Sequence, residues 1–68
     1  MMKGRVKWFD TSKGFGFIHT EEGYDIFVHY TGIKDEDVRS LEEGEEVEFE
    51  VKDGRRGPHA VNVNRRMA

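Results

Sequence analysis

Two short segments, residues 13–18 (KGFGFI) and 25–30 (DIFVHY), carry ring side chains at alternate positions. Alternate residues of a β-strand lie on the same face, so the rings of each segment are predicted to share one face and the aliphatic side chains the other. If the two strands pair, the rings form one contiguous patch. Exposed aromatic patches are usually contact surfaces, so this spacing predicts binding through ring faces.

The face with the aliphatic side chains is the one predicted to be buried, because a chain of 68 residues can fill only one core. Its members are Ile18, Ile26 and Val28. The exposed patch then consists of Phe15, Phe17, Phe27 and His29. The alternative is that the rings fill the core and the aliphatic residues line a second buried face. Two buried faces would overfill so short a chain.

Length and composition predict one small domain that spans residues 1–68. The chain contains no cysteine, so neither a disulfide nor a thiolate metal site is expected. No apolar run approaches the ~20 residues of a membrane span, and the first residues (MMKGRVKW) lack the apolar stretch of a signal peptide. We therefore expect a cytoplasmic monomer with no membrane partner.

The charges are segregated along the chain, which matters more for binding than the formal net charge of −3. Residues 21–50 contain twelve acidic and two basic side chains. Residues 1–20 contain four basic and one acidic, and residues 51–68 contain five basic and one acidic. Seven of the eight aromatic residues lie at or before Tyr30, so the basic N-terminal segment is also rich in rings. The negative net charge therefore does not exclude an anionic partner.

Glycines separate segments that alternate as strands do, and five strands are predicted. Their spans are residues 3–10, 15–20, 25–30, 45–52 and 59–64. A closed barrel suits five short strands, because it protects the strand edges and encloses a single core. The predicted fold class is all-β, a small five-stranded antiparallel β-barrel.

Alternation also assigns core residues in the last two predicted strands. Val47, Phe49 and Val51 share one face of the fourth strand, and Val61 and Val63 share one face of the fifth. We expect these faces to line the core.

Two segments depart from simple alternation. Val6 and Trp8 are two apart, so alternation would place both in the core. Exposing Trp8 requires a bend or a bulge in the first strand, and the pattern alone leaves both positions of Trp8 open. Between residues 33 and 44, Val38 and Leu41 are three apart. This spacing favours an ordered loop with one helical turn.

With these residues in place, the chain resembles the bacterial cold-shock proteins, small five-stranded barrels with an oligonucleotide-binding (OB) fold. The resemblance rests on GRVKWFD at 4–10, KGFGFI at 13–18, DIFVHY at 25–30, LEEGEEVEFEV at 41–51 and GPHAVNV at 57–63. The second and third segments resemble the family's two ribonucleoprotein motifs. A lone GFGF would be weak support, but the five segments occur in the family's order and cover most of the chain.

The resemblance implies a surface that stacks single-stranded RNA and DNA with low sequence specificity. The implied stacking platforms are Trp8, Phe15, Phe17, Phe27, His29 and Tyr30. The implied contacts to phosphates or base edges come from Lys7, Lys13 and Arg56. Asp25 is implied as a hydrogen-bond acceptor for a base. No cofactor is implied, and the choice between RNA and DNA as the working ligand stays open.

Three positions depart from the family's common residues. They are Asp10 in place of asparagine, Tyr30 in place of phenylalanine, and Val38 in place of an aromatic residue. Tyr30 is still expected to stack. Asp10 adds a negative charge near the ligand path and Val38 removes a platform, so weaker binding is expected in the outer part of the site. Thr31-Gly32 replaces a serine-alanine pair and is interpreted as a turn variant without functional consequence.

Catalysis has no support in the sequence. The three histidines, His19, His29 and His59, are scattered, and no serine-histidine-acid grouping or cysteine accompanies them. The chain lacks a GxxxxGK[ST] phosphate loop, so ATP-driven unwinding is not expected. We predict a protein that is not an enzyme.

A passive RNA chaperone is the function that the sequence favours, and two other binding functions stay open. A small barrel could bind peptides through its rings, and the acidic residues 35–37 keep this alternative open. A barrel could also dock on structured ribosomal RNA. That alternative predicts a preference for folded RNA over single strands.

Overall fold

A computed structural model describes residues 1–34, 41–55 and 57–65 of the chain. Within these residues the chain forms five strands and one short 3₁₀ helix. The strands are β1 (Met2–Asp10), β2 (Phe15–Thr20), β3 (Asp25–His29), β4 (Glu46–Gly54) and β5 (Gly57–Arg65). The 3₁₀ helix, Tyr30–Gly32, follows β3. The five predicted strands are confirmed, with β2 at its predicted bounds and the others within two residues.

The strands close into a barrel in the order β1-β2-β3-β5-β4, which confirms the predicted fold class. β1 pairs with both β2 and β4, and these pairs are antiparallel, as are β2 with β3 and β4 with β5. The barrel closes through one parallel pair, Phe27–Val28 of β3 beside His59–Ala60 of β5. The prediction of an antiparallel barrel therefore holds for every neighbouring pair except this one.

One apolar core fills the barrel. Its buried members are Val6, Ile18, Ile26, Val28, Ile33, Leu41, Val47, Phe49, Ala60 and Val63. Phe49 is the largest side chain that is fully buried, and Met2 and Phe9 pack against the cluster from its rim. The prediction that the aliphatic faces of β2 and β3 are buried is confirmed, and the alternative of a core made from their rings is wrong.

A bulge in β1 separates Val6 from Trp8, which decides a point that alternation had left open. Val6 is opposite Ile18 and Trp8 is opposite Phe17, so Lys7 is the extra residue. The bulge reverses the alternation, and Val6 is buried while Trp8 is 38% exposed. Trp8 therefore faces the side of the sheet that carries the rings of β2.

Two predicted core residues are not in the core. Val51 is 40% exposed because the hairpin of β4 and β5 extends beyond the barrel, where residues 50–55 are all exposed. In β5, Ala60 and Val63 are buried and Val61 is half-buried. Asn62 has a φ of 52°, and the β4–β5 register shifts beside it, which breaks the predicted alternation.

The connection after β3 lies partly outside the described residues. Ile33 and Leu41, at its two ends, are buried. The helical turn was predicted around Val38 and Leu41, and Val38 lies outside the described residues. The 3₁₀ helix comes earlier and includes Tyr30, which the sequence placed at the end of the third strand.

Candidate functional site

Four aromatic rings from three adjacent strands form a closed circuit of contacts on the outside of the barrel. We call Trp8, Phe15, Phe17 and Phe27 the ring face. Trp8 lies 6.0 Å from Phe15 and 5.5 Å from Phe17, measured between ring centroids. Phe27 lies 5.8 Å from Phe15 and 5.9 Å from Phe17. These are the separations of packed aromatic pairs, so each ring supports two others.

The register of the strands explains why the rings meet. Phe17 is directly opposite Phe27 across the β2–β3 pair and opposite Trp8 across the β1–β2 pair. Gly16 lies between the rings of β2, where a Cβ would be 2.2 Å from the carbonyl oxygen of Trp8. A side chain at this position would force β1 away, so glycine keeps the two strands in contact. The ring face depends on this close approach.

His29 and Tyr30 extend the ring face at the end of β3. Their ring centroids are 4.6 Å apart, with an angle of 38° between the planes. The Tyr30 ring lies over Gly14, where a Cβ would be 2.6 Å from Tyr30 Cδ1. Gly14 has a φ of 79°, and its carbonyl accepts a hydrogen bond from the Tyr30 N–H at 2.8 Å. The turn between β1 and β2 thus supports the ring of Tyr30.

The exposure of these side chains differs in a way that suits stacking. Trp8 and Tyr30 are 38% and 44% exposed, whereas the three phenylalanines and His29 are half-buried. A half-buried ring presents one face outward and packs on its neighbours with the remainder. The structure therefore brings together the six aromatic side chains that the sequence predicted as platforms.

An ion-pair cluster borders the ring face. Asp25 Oδ2 accepts a hydrogen bond from Lys7 Nζ at 2.8 Å, and Asp25 Oδ1 lies 2.7 Å from His19 Nδ1. The hydrogen bond from Lys7, followed by that of His19, lowers the pKa of the Asp25 carboxyl below its ordinary value. Both oxygens of the predicted base acceptor and the amine of Lys7 are therefore engaged within this cluster.

Asp10 shapes the turn that carries Lys13. Its Oδ1 accepts a hydrogen bond from the Lys13 N–H at 3.0 Å, and its carbonyl accepts one from the Gly14 N–H at 2.7 Å. Lys13 itself is exposed. The carboxylate of Asp10 is thus partly satisfied by the backbone of its own turn. Arg56, the remaining predicted contact, lies outside the described residues.

Acidic side chains in β4 and just before it form ion pairs and hydrogen bonds away from the rings of β2 and β3. Arg5 Nη2 donates to Glu46 Oε1 at 2.6 Å, and Arg65 Nε donates to Glu45. Glu50 Oε2 accepts a hydrogen bond from the Asn62 side chain at 3.0 Å. Since β4 pairs with β1 and β5, these carboxylates are not adjacent to β2 or β3.

Sequence reasoning missed the partners of two site residues. His19 was not a candidate, although the β2–β3 hairpin places it opposite Asp25, a pairing that could have been found by counting back from the turn. Thr31 was interpreted as having no functional consequence, yet its amide and hydroxyl both bond the ring of His29. Serine and threonine are common in turns, so the presence of Thr31 after His29 was a weak signal for this contact.

The described residues contain neither grouped metal ligands nor a membrane-spanning helix. Across residues 1–34, 41–55 and 57–65, no three histidine, cysteine or acidic side chains are grouped to hold a metal ion. In the same residues no helix has the length and apolar character needed to cross a membrane.

Comparison with known proteins gives one consistent result. The family model described as the 'Cold-shock' DNA-binding domain matches residues 2–66. The chain is 58% identical over 62 residues to the cold shock-like protein CspC of Bacillus cereus, covering 91% of this chain and 95% of the relative. It is 57% identical over 63 residues to the cold shock protein CspB of Geobacillus stearothermophilus, covering 93% and 96%. The major cold shock protein of Streptococcus pyogenes is 51% identical over 65 residues, covering 96% and 97%.

Proposed function

The chain belongs to the cold-shock domain family, whose members bind nucleic acids and are not enzymes, and we propose that it acts as a passive RNA chaperone. In this proposal it binds single-stranded RNA or DNA by stacking unpaired bases on the ring face and on His29 and Tyr30. The observation that carries the proposal is the circuit of four outward rings on β1, β2 and β3.

Stacking supplies most of the binding energy in this proposal. Every base has a π-face, so a set of rings accepts a single strand with little demand on its sequence. Each stacked base contributes about 1 to 3 kcal/mol. Among the described residues few cations accompany the rings, because Lys7 is paired with Asp25 and Lys13 lies in the turn between β1 and β2. For two to four phosphate contacts, the slope of log K against log salt is about −1.4 to −2.8.

Passive action follows from the size of these energies. A duplex hides its base faces, and opening one base-pair step costs about 1.4 kcal/mol of stacking. One stacked base returns a similar amount, so the protein can hold a short, weak hairpin open but cannot melt a long helix. No energy source is needed for this activity. We further propose that it operates as a monomer in the cytoplasm.

The first test compares three ligands by fluorescence of Trp8, the only tryptophan of the chain. We expect quenching by a short oligothymidine and little change with its duplex or with a stably folded RNA. Preference for the folded RNA would refute the stacking proposal and favour docking on structured RNA. Absence of binding to all three ligands, checked by calorimetry, would leave the rings for another partner such as a peptide.

A matched pair of variants locates the binding energy. Phe27→Ala removes one ring of the ring face, whereas Tyr24→Ala removes an exposed ring whose hydroxyl contacts Met2 Sδ at 3.5 Å, outside that face. Loss of one stacked base predicts a Kd for Phe27→Ala weaker by about 5- to 150-fold. Tyr24→Ala should stay within about twofold of the unmodified protein. Equal losses would show that the rings do not act through stacking at this face.

A further test addresses chaperone activity directly. RNA hairpins with a fluorophore and a quencher at their ends, with stems of increasing length, report opening as fluorescence. We expect opening of the shortest stems only, at protein concentrations that saturate oligothymidine. Opening of long stems without a nucleotide cofactor would contradict the passive mechanism.

A further inference from the structure

His29 and Thr31 form a hydrogen-bonded unit at the edge of the ring face. The backbone N–H of Thr31 donates to His29 Nδ1 at 3.3 Å, and Thr31 Oγ1 lies 2.9 Å from the same nitrogen. The imidazole thereby takes the N-cap position of the 3₁₀ helix, a role that serine, threonine, aspartate and asparagine usually fill. The side chain of His29 is part of the turn that follows it.

This contact assigns the proton of the neutral ring. A backbone amide can donate but cannot accept, so Nδ1 must be the acceptor, and a neutral imidazole whose Nδ1 accepts carries its proton on Nε2. The other tautomer would donate from Nδ1 to Thr31 Oγ1 and would leave the Thr31 amide without this acceptor. The amide contact therefore favours the Nε2–H form, and in that form the hydroxyl can donate to Nδ1 as a second donor.

The same contact fixes the plane of the ring. The ring–backbone torsion of histidine is broad, so an unrestrained imidazole samples many orientations. Here the bonds from Thr31 hold one edge, and Tyr30 covers part of the ring at a centroid distance of 4.6 Å. Phe15 lies opposite His29 in the neighbouring strand. A ring held in this way loses little further freedom when a base stacks on it.

We propose that Thr31 is a positioning residue for single-strand binding, which holds His29 as the Nε2–H tautomer with its ring oriented for stacking. The inference rests on the proposed function, because it concerns the same surface. Thr31 is exposed, and its only side-chain bond within the described residues is to His29. Its contribution to binding therefore passes through the imidazole.

The first test is spectroscopic and uses the free protein. Nitrogen-15 NMR of the imidazole at a pH where His29 is neutral distinguishes the two tautomers. We expect the Nε2–H signature in the unmodified protein and in Thr31→Ser, which keeps the hydroxyl. Thr31→Val keeps the shape and the backbone amide but loses the hydroxyl donor, and we expect a smaller fraction of the Nε2–H tautomer. An Nδ1–H signature in the unmodified protein would overturn the assignment.

The second test is a double-mutant cycle with oligothymidine. We expect Thr31→Val to weaken binding by about 2- to 10-fold, the effect of one hydrogen bond, and Thr31→Ser to restore it. In a His29→Ala background, Thr31→Val should cause no further loss. An equal loss in both backgrounds would mean that Thr31 acts elsewhere, and unchanged binding in Thr31→Val would refute the positioning role.

The two tests separate this inference from the proposed function. If the unmodified protein failed to bind oligothymidine, the proposed function would fail, whereas the tautomer of His29 would still be measured in the free protein. If oligothymidine bound well and Thr31→Val bound equally well, the inference alone would fail. Urea unfolding of each variant identifies any loss of binding that comes from loss of folded protein.

Discussion

The ion pair between Lys7 and Asp25 leads to a prediction about salt dependence. Lys7 Nζ lies 2.8 Å from Asp25 Oδ2, so a phosphate that approaches this amine also approaches a carboxylate. The positive charge of Lys7 is locally cancelled, and its contact with a phosphate should release little counterion. Asp25→Asn removes the negative charge, keeps the size of the side chain and leaves Lys7 as an uncancelled cation beside Trp8.

The expected size follows from counterion release. Each phosphate neutralised on a single strand contributes about −0.7 to the slope of log K against log salt. Asp25→Asn should therefore steepen the slope by about 0.7, so that a tenfold rise in salt costs the variant about fivefold more affinity than it costs the unmodified protein. Folding should change little at neutral pH, since solvent screens exposed ion pairs and they contribute little to stability.

Four proteins make the test decisive: the unmodified chain, Asp25→Asn, Lys7→Gln, and the double variant. Oligothymidine titrations at one fixed pH, from about 50 to about 500 mM salt, give a slope for each. We expect Lys7→Gln to flatten the slope by about 0.7 in the Asp25→Asn background and by much less in the unmodified chain. The same flattening in both backgrounds would refute the reasoning, because Lys7 would then reach a phosphate despite Asp25.

Three further predictions concern stability. Because the lowered pKa of Asp25 favours its charged form in the folded state, this group stabilises the fold above its unfolded pKa, and the contribution is lost as the pH falls through the lower folded value. Urea unfolding should show that the free energies of unfolding of the unmodified protein and Asp25→Asn approach each other in acid. A difference that stays constant with pH would contradict this prediction. Phe49→Ala should lower the free energy of unfolding by about 3 to 5 kcal/mol, because Phe49 is fully buried. Val51→Thr, at the exposed end of β4, should change it by no more than about 0.5 kcal/mol. Similar losses in the two variants would mean that Val51 is buried in solution. Gly14→Ala and Gly23→Ala both force alanine into positive φ, which should lower the free energy of unfolding by about 1 to 2 kcal/mol. Only Gly14→Ala places a Cβ against the Tyr30 ring, so only this variant should weaken oligothymidine binding.

Local patterning was enough to predict the elements that carry the candidate site. The alternation in β2 and β3 depends only on residues a few positions apart, and it correctly separated the ring face from the buried aliphatic residues. Patterning did not decide the bulge at Lys7, because alternation placed both Val6 and Trp8 in the core and only an exposed Trp8 required a bend or bulge. The correct inferences required no knowledge of which strands pair.

The errors occur where the outcome depends on distant strands. Val51 alternates as a core residue should, but whether a core lies beneath it depends on how far the β4–β5 hairpin extends beyond the barrel. The prediction that Val61 lies in the core is wrong because Asn62 adopts a positive φ beside a register shift, and the pattern of a single strand does not reveal either feature. The parallel pairing of β3 with β5 is likewise a property of barrel closure.

Side-chain partners were the least predictable part of the site. Asp25 was inferred to face a base, whereas its register with His19 and the bulge at Lys7 place two basic groups on its carboxylate. The contact with Lys7 joins residues 18 positions apart, whereas the contact with His19 crosses a short hairpin and could have been found from its turn. Roles inferred for charged residues are therefore weaker than roles inferred for rings, whose positions follow from alternation alone.

The negative net charge is compatible with a nucleic-acid ligand because of where the carboxylates lie. β1 separates β4 from β2, so the acidic side chains of β4 are about two strand spacings, or about 10 Å, from the nearest phenylalanines. The Debye length is about 8 Å at physiological salt, so these carboxylates are largely screened from a strand on the ring face. At about 0.01 M salt the Debye length of about 30 Å exceeds the 25 Å extent of the barrel. The carboxylates of β4 then also act on the bound strand, so their repulsion offsets part of the affinity that phosphate contacts gain as the salt concentration falls.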